Sequence, residues 1–583
     1  MKRAAAISIL ASFLLASCAT APQPAGLPAK TQQAVAPEQP VAIQLLAIND
    51  FHGALETPEF TTQYLDQQDQ EQTARLGGAA RLAGTLSRLR AGHENTVTVA
   101  AGDLIGASPL VSSLFLDEPS IYALNQMGLE LAAVGNHEFD RGVDELRRMA
   151  DGGCEQYTPR EPCGLEEFTG AEFSFLTANV VDAEDRTVFP ATAMRDFGDI
   201  RIGFIGMTLK DTASLVSPAA TRGYRFLDEA MVANAQARQL QSQGADIVVL
   251  LIHQGVWTDP SFNLAGCPNM SGDLLPVLEA LDSSIELVIS GHTHNAYVCE
   301  LTDAVGNNRL LTSAGRHSTF ATDIRLVADP QTGDLLDFQA VNVPILPVEE
   351  ELPETAALVT RYVDAARPIA ERVIAMVDDL SDEEGCVDDS AQALVADAQL
   401  HVASRPENGA AQIAFINSAG VRRDLSIAED GDLTFGELFA MQPFANSILV
   451  LEMTGAELKA VMEQQFCHED NGQPCYSRLI PSAGFTYDID PSRPRGERIV
   501  AMQLAGEEID PQAAYRIAVN NFIANGGDRF DLFIPAERVG GAGVDIDAME
   551  AYFAAGGEIP RCGRISLATS DQLVSPDGAV RAE

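Results

Sequence analysis

At 583 residues the chain is long enough for several domains. Its 46% apolar content can fill large cores and excludes intrinsic disorder as its main state. Lys and Arg total 38 against 83 Asp and Glu, a formal charge of −45. Such a chain repels phosphate polymers and anionic membrane surfaces, so no nucleic-acid polymer is expected as a partner, and an anionic substrate must be held by local cations.

Met1-Lys2-Arg3 and the apolar stretch Ala4 to Ala16 read as a secretory signal, too short for the about 20 residues of a spanning helix. The stretch ends Leu15-Ala16-Ser17-Cys18, which resembles the bacterial lipobox. Residues 1–17 are then removed and Cys18 is lipidated; the alternative is a plain signal followed by a fortuitous cysteine. Ala19 after that cysteine resembles an outer-membrane sorting signal, facing the periplasm or the cell surface. Residues 18–40, rich in Pro, Ala and Gln, predict an extended tether.

The body is expected to be α/β. Short apolar runs at Val41–Ile48, Thr96–Ala100, Leu129–Val134, Phe173–Ala178, Ile200–Ile205, Asp246–Ile252 and Ile285–Ile289 predict buried strands. Helix-like segments alternate with them, such as Glu229 to Gln243, closed by Gly244. These patterns place a first domain at 41–345. The stretch 346–377 is read as a linker helix, because Thr355 to Val377 has helical spacing interrupted at Pro368. A second domain follows at 378–583, with strands expected at Gln412–Ile416, Ser447–Leu451 and Arg516–Val519.

Setting Cys18 apart leaves eight cysteines, an even number suited to disulfides in an oxidising compartment. Cys154/Cys163 and Cys467/Cys475 are near enough in sequence for local staples. Cys267/Cys299 and Cys386/Cys562 are the remaining guesses, and spacing does not fix the connectivity.

Five polar motifs each follow one of the apolar runs: Asn49-Asp50-Phe51-His52-Gly53, Gly102-Asp103, Gly135-Asn136-His137-Glu138, His253-Gln254-Gly255 and Gly291-His292-Thr293-His294. A lone DxH or HxH is more often a turn or a capped helix start. Five in order, each at a strand's carboxyl end, assemble nitrogen and oxygen donors without thiolate, the ligand set of a two-metal site.

These motifs resemble the calcineurin-like metallophosphoesterases, specifically the secreted 5′-nucleotidase/UDP-sugar hydrolase family. The second domain is similar too: Asn417-Ser418-Ala419-Gly420-Val421-Arg422, Gln442-Pro443-Phe444 and the stretch from Asn521 to Asp528 resemble the family's NGGGIR, PFG and NFxANGGD segments. The resemblance implies a helix-flanked β-sandwich metallophosphoesterase domain, a linker helix and a nucleotide-binding domain, rotating relative to one another. It implies two divalent ions, Zn or Mn. Asp50, His52, Asp103 and His294 would hold one, and Asp103, Asn136, His253 and His292 the other. Some family members carry Gln where His294 stands. His137, oriented by Asp140, is the implied catalytic imidazole, with Glu138 a first-turn helix acid. Phe444 and Phe522 would sandwich a base, Asn417 and Asp528 bond the ribose or the base edge, and Arg422 bind phosphate.

Two departures stand out. Ser418-Ala419 replace family glycines, and Ser381 to Ala398, where the family usually carries phosphate arginines, contains none. The implied activity is a monomeric 5′-nucleotidase attacking phosphorus with water acidified by the metals. The alternatives are a 2′,3′-cyclic-nucleotide phosphodiesterase/3′-nucleotidase, a UDP-sugar hydrolase, or a catalytically dead nucleoside-binding surface lipoprotein.

Overall fold

The structure, a computed structural model, describes residues 39–66, 68–158, 160–216, 220–263, 266–303, 305–377, 387–425, 431–444, 446–466 and 477–567. The expected signal, the lipobox cysteine, the Cys467/Cys475 pair and Cys386 lie outside these residues. Cys154–Cys163 and Cys267–Cys299 are bonded, and Cys562 is itself disulfide-bonded.

The first domain is built on β1 (Val41–Ile48), β2 (Thr96–Ala101), β3 (Leu131–Ala133), β4 (Ser174–Leu176), β5 (Thr192–Phe197) and β6 (Ile200–Thr208). It continues with β7 (Ile247–His253), β8 (Ile285–Ser290), β9 (Ala296–Thr302), β10 (Asn308–Ala314), β11 (Phe320–Ala328) and β12 (Leu335–Pro344). Two six-stranded sheets result, ordered β12-β11-β1-β2-β3-β4 and β9-β10-β8-β7-β6-β5. Strands β1 to β4 run parallel in register, and so do β6, β7, β8 and β10.

Strand β7, Ile-Val-Val-Leu-Leu-Ile-His, is buried at every position because both of its faces are covered. Val249 and Leu251 meet Ile43, Leu45, Val97 and Val99 in a core between the two sheets. Val248, Leu250 and Ile252 instead pack outward, with Ala233, Ala237 and Leu240 of a helix at Glu229–Ser242. Asp228 caps that helix by accepting from the Met231 amide at 2.9 Å, and Gly244 just beyond it takes φ 92°, as its sequence position implied. On the other side Leu46 and Ile48 pack against Leu82 and Leu86 of a helix at Ala79–Arg90. The architecture is the expected sandwich flanked by helices.

The stretch read as a linker helix ends sooner than its spacing implied. The helix spans Pro353–Ala370, and Val373–Met376 is a strand, antiparallel to Asp432–Thr434. The helix runs two residues past Pro368; what stops it is pairing with a partner nearly sixty residues on, which helical spacing does not encode. Leu358, Tyr362 and Ala366 join the core of the first domain, so the segment is a packed element and not a bare spacer.

In the second domain β13 (Ile413–Asn417), β14 (Ser447–Thr454), β15 (Leu479–Pro481), β16 (Ala514–Asn520) and β17 (Glu537–Val544) form a sheet ordered β15-β13-β16-β14-β17. It has a separate core, where Leu394, Val395 and Ala398 of the helix Ser390–Ala403 pack with Phe415, Val450 and Val519.

Candidate metal centre and substrate cavity

The parallel register brings the carboxyl ends of β1, β2 and β3 to one edge and those of β7 and β8 beside them. The turns that follow deliver Asp50, His52, Asp103, Asn136, His137, His292 and His294, and His253 is the last residue of β7 itself. Asp50, His52, Asp103, His292 and His294 all take positive φ, between 46° and 72°. Such backbone is sparsely populated by non-glycine residues and persists only where the surroundings impose it. Glycines make room: a Cβ on Gly135 would fall 2.2 Å from Asp103 Oδ1, and one on Gly291 would fall 2.8 Å from Asp50 Oδ2.

Two clusters emerge, Asp50/His52/His294 and Asp103/His253/His292, the ligand atoms of each lying within 4.8 Å of one another. Asp103 stands between them: its Oδ2 is 2.9 Å from His253 Nε2 and 3.7 Å from His52 Nε2. Asn136 Oδ1 lies 3.1 Å from His292 Nδ1.

The donors fit cations. His52 Nδ1 donates to the Gly106 carbonyl at 2.9 Å, leaving a lone pair on Nε2, which faces His294 Nε2 at 3.2 Å and Asp50 Oδ1 at 3.9 Å. Burial drives the His52 pKa down to about 3 and that of His294 well below its ordinary value, so both rings are neutral. Neutral imidazole nitrogens and carboxylate oxygens directed at one point repel unless a cation lies among them. Burial, with the nearby Asp103 charge, likewise raises Asp50 to about 7, a penalty that a divalent ion would remove. Backbone supports orient the ligands: His253 Nδ1 donates to the Ala101 carbonyl at 2.8 Å, and Asp50 accepts from the His292 amide.

His137 Nδ1 lies 2.8 Å from Asp140 Oδ2. Burial opposes the charged imidazolium, but Asp140 and then Asp103 outweigh it and raise the His137 pKa. Glu138 is the first-turn acid of the short helix His137–Phe139, and it is buried, accepting from the amides of Gly135 at 2.6 Å, Asp103 at 3.0 Å and Leu104 at 2.6 Å. It clamps the β2 and β3 turns together.

A cavity of about 810 Å³ opens over this edge. From the first domain Asp103, Asn136, His137, Asp140, His292 and His294 line it; from the second come Asn417, Arg422, Phe444, Phe522 and Asp528. Asp50, His52 and His253 sit buried behind them. Phe444 stacks on His137, ring centres 6.3 Å apart, and Arg422 lies 5.5 Å over Phe444. Asn417 Nδ2 donates to Asp528 Oδ2 at 2.8 Å and its Oδ1 accepts from Asn520 at 2.9 Å. A Cβ on Gly527 would strike the Phe522 ring at 2.5 Å, so that glycine lets the ring lie flat on the chain.

Several residues around the metal centre escaped the sequence reading. Asn49, inside the first motif, ties Asp50 to β10 through Ser313, Ala314 and Gly315. Gly315-Arg316-His317 follows β10 as the other motifs follow their strands, and the rule that found those five applies to it. The His317 ring lies 5.6 Å from His52 and its amide donates to the Asp50 carbonyl at 2.7 Å.

Known proteins share this arrangement of domains. The calcineurin-like phosphoesterase family profile matches residues 43–296, and the 5′-nucleotidase C-terminal domain profile matches 373–534. An endonuclease of Bacillus subtilis is 27% identical over 504 residues, 84% of this chain and 37% of the relative, so the chain spans little over a third of that protein. A probable 5′-nucleotidase of Treponema pallidum is 25% identical over 567 residues, 84% of this chain and 87% of the relative. A solved 5′-nucleotidase precursor from Thermus thermophilus shares the fold with TM-score 0.70 at 24% identity, covering 90% of this chain and 99% of that one.

Proposed function

This chain belongs to the calcineurin-like phosphoesterases that carry a 5′-nucleotidase C-terminal domain, and from that premise we propose that it is a two-metal phosphomonoester hydrolase acting on nucleotides, a 5′-nucleotidase. The observation that carries the reading is one cavity lined both by members of the two clusters, Asp103, His292 and His294, and by Asn417, Arg422, Phe444, Phe522 and Asp528.

In this reading Asp50, His52, Asp103 and His294 would hold one divalent ion, and Asp103, Asn136, His253 and His292 would hold the other. Zn or Mn suits such nitrogen and carboxylate donors. When bound, the pair supplies Lewis acidity to the phosphoryl oxygens and acidifies water.

The chain's own groups do the rest. Asp140 keeps the proton of His137 on Nδ1 and favours the imidazolium, which stabilises charge growing on the phosphoryl oxygens or protonates the leaving oxygen. Arg422 meets phosphate oxygens with two parallel N–H groups. Phe444 and Phe522 grip the base, and Asn417 and Asp528 meet ribose hydroxyls or the base edge.

The lipobox resemblance supports export and lipid attachment at Cys18, in the periplasm or at the cell surface, and the proposed working state is a monomer. Among the described residues no helix is long and apolar enough to cross a membrane.

Phosphate release from AMP, 3′-AMP, cyclic 2′,3′-AMP and UDP-glucose, with and without chelator, tests the proposal. AMP turnover abolished by chelation and restored by Mn²⁺ or Zn²⁺ is the expected result. Preference for one of the other three substrates would select that alternative, and inertness toward all four would refute the group.

A further inference from the structure

Asn49 stands one residue before the first candidate ligand and is buried. Its side chain is engaged on both ends. Oδ1 accepts from the Ala314 amide at 2.7 Å, which fixes the orientation of the carboxamide and turns the two N–H bonds of Nδ2 the other way. Those N–H bonds go to Asp50 Oδ2 and to the Gly315 carbonyl, both at 2.7 Å, with Ser313 Oγ farther off at 3.2 Å.

The two oxygens of Asp50 are thereby made unequal. The His292 amide lies 3.1 Å from Oδ1 and 3.0 Å from Oδ2, so it does not choose between them. Asn49 does, by bonding Oδ2 alone. Oδ2 is also the oxygen pressed against Gly291, where a Cβ would fall 2.8 Å from it. Oδ1 is left on the side of the imidazoles, 3.4 Å from His294 Nε2 and 3.9 Å from His52 Nε2.

We propose that Asn49 is a positioning residue that presents Oδ1 of Asp50 to the ion held with His52 and His294, supporting that ion and not the one at His253 and His292. This rests on the two-metal reading and adds to it a residue that touches neither ion nor substrate. A carboxylate ligand keeps its orientation through hydrogen bonds to the oxygen that faces away from the metal, and losing such a bond weakens the metal it serves. The support is one-sided: the side-chain bonds of Asn49 run to Asp50, Ser313, Ala314 and Gly315, and to no member of the Asp103/His253/His292 cluster.

The test is calorimetric titration of the metal-stripped full chain with Mn²⁺, beside elemental analysis after desalting, for wild type, Asn49→Asp and Asn49→Leu. Asn49→Asp keeps an acceptor for the Ala314 amide but sets an oxygen against Asp50 Oδ2 and the Gly315 carbonyl. Asn49→Leu keeps a similar shape and removes every bond. Wild type should bind two ions per chain. Each variant should bind one ion as wild type does and the other about 10–100-fold more weakly, the usual cost of losing a ligand's supporting bond. Raising Mn²⁺ should then restore AMP turnover. Should one variant fail to fold by circular dichroism, the other carries the test. Equal weakening of both ions, the mark of a merely structural role, or two ions bound as in wild type, would overturn the assignment and leave the two-metal reading intact. Fewer than two ions in wild type would overturn both.

Discussion

The acid–base pair and the ring clamp are single-residue matters. His137 touches Asp140 and stands beside the ligands without joining either cluster of three. We expect His137→Ala to retain two metals per chain by elemental analysis while kcat falls about 10²-fold or more; loss of metal would mean that the imidazole is itself a ligand. Phe522→Ala should weaken turnover of AMP, since stacking on a base contributes about 1–3 kcal/mol, yet spare p-nitrophenyl phosphate. Equal loss on both substrates would make Phe522 a packing residue. At this scale the sequence reading of Glu138 as a helix-start acid stands, but it did not show that four amides, three of them from a turn more than thirty residues upstream, claim the carboxylate.

Elements carry these residues to the site through their burial. Strand β8 supplies the turn bearing His292 and His294, and it contains the half-buried Glu286. Burial, then the charge of Asp334, raises the Glu286 pKa from 4.5 to about 7. A raised pKa in the fold means that folding opposes ionisation, so the stability associated with this group is full below about pH 4.5 and is lost as pH rises through 7. Glu286→Gln should therefore melt roughly 2–4 °C above wild type at pH 8 and show no such gain at pH 4.5 by calorimetry; a gain independent of pH would refute the assignment. The seven apolar runs read from the sequence all contain strands, because a strand covered on both faces must be apolar throughout. The Val373–Met376 strand was not legible, since four residues fit either period and only their pairing with Asp432–Thr434 decides.

Over the whole molecule, ion pairs bridge the domains beside the cavity: Arg423 to Glu59 at 3.7 Å and Arg529 to Asp211 at 3.5 Å. Exposed pairs of this kind contribute about 0.2–1 kcal/mol each and weaken with salt. The Asp211→Ala/Arg423→Ala double variant should thus shift the balance toward an open arrangement by a few-fold, seen as a larger radius of gyration in small-angle scattering. Raising salt should expand wild type and leave the variant nearly unchanged; a salt response equal in both would show that these pairs do not hold the domains. The sequence by itself determined which side chains stand at the strand ends, because the period of apolar residues and the polar motif after each run are local properties. Only the tertiary structure decided that Asp103 lies between the two clusters, that Glu138 binds two turns together, and that Asn49 joins Asp50 to the end of β10. Those relations depend on strand order and domain contact, and the contacts that set them join residues tens to hundreds of positions apart.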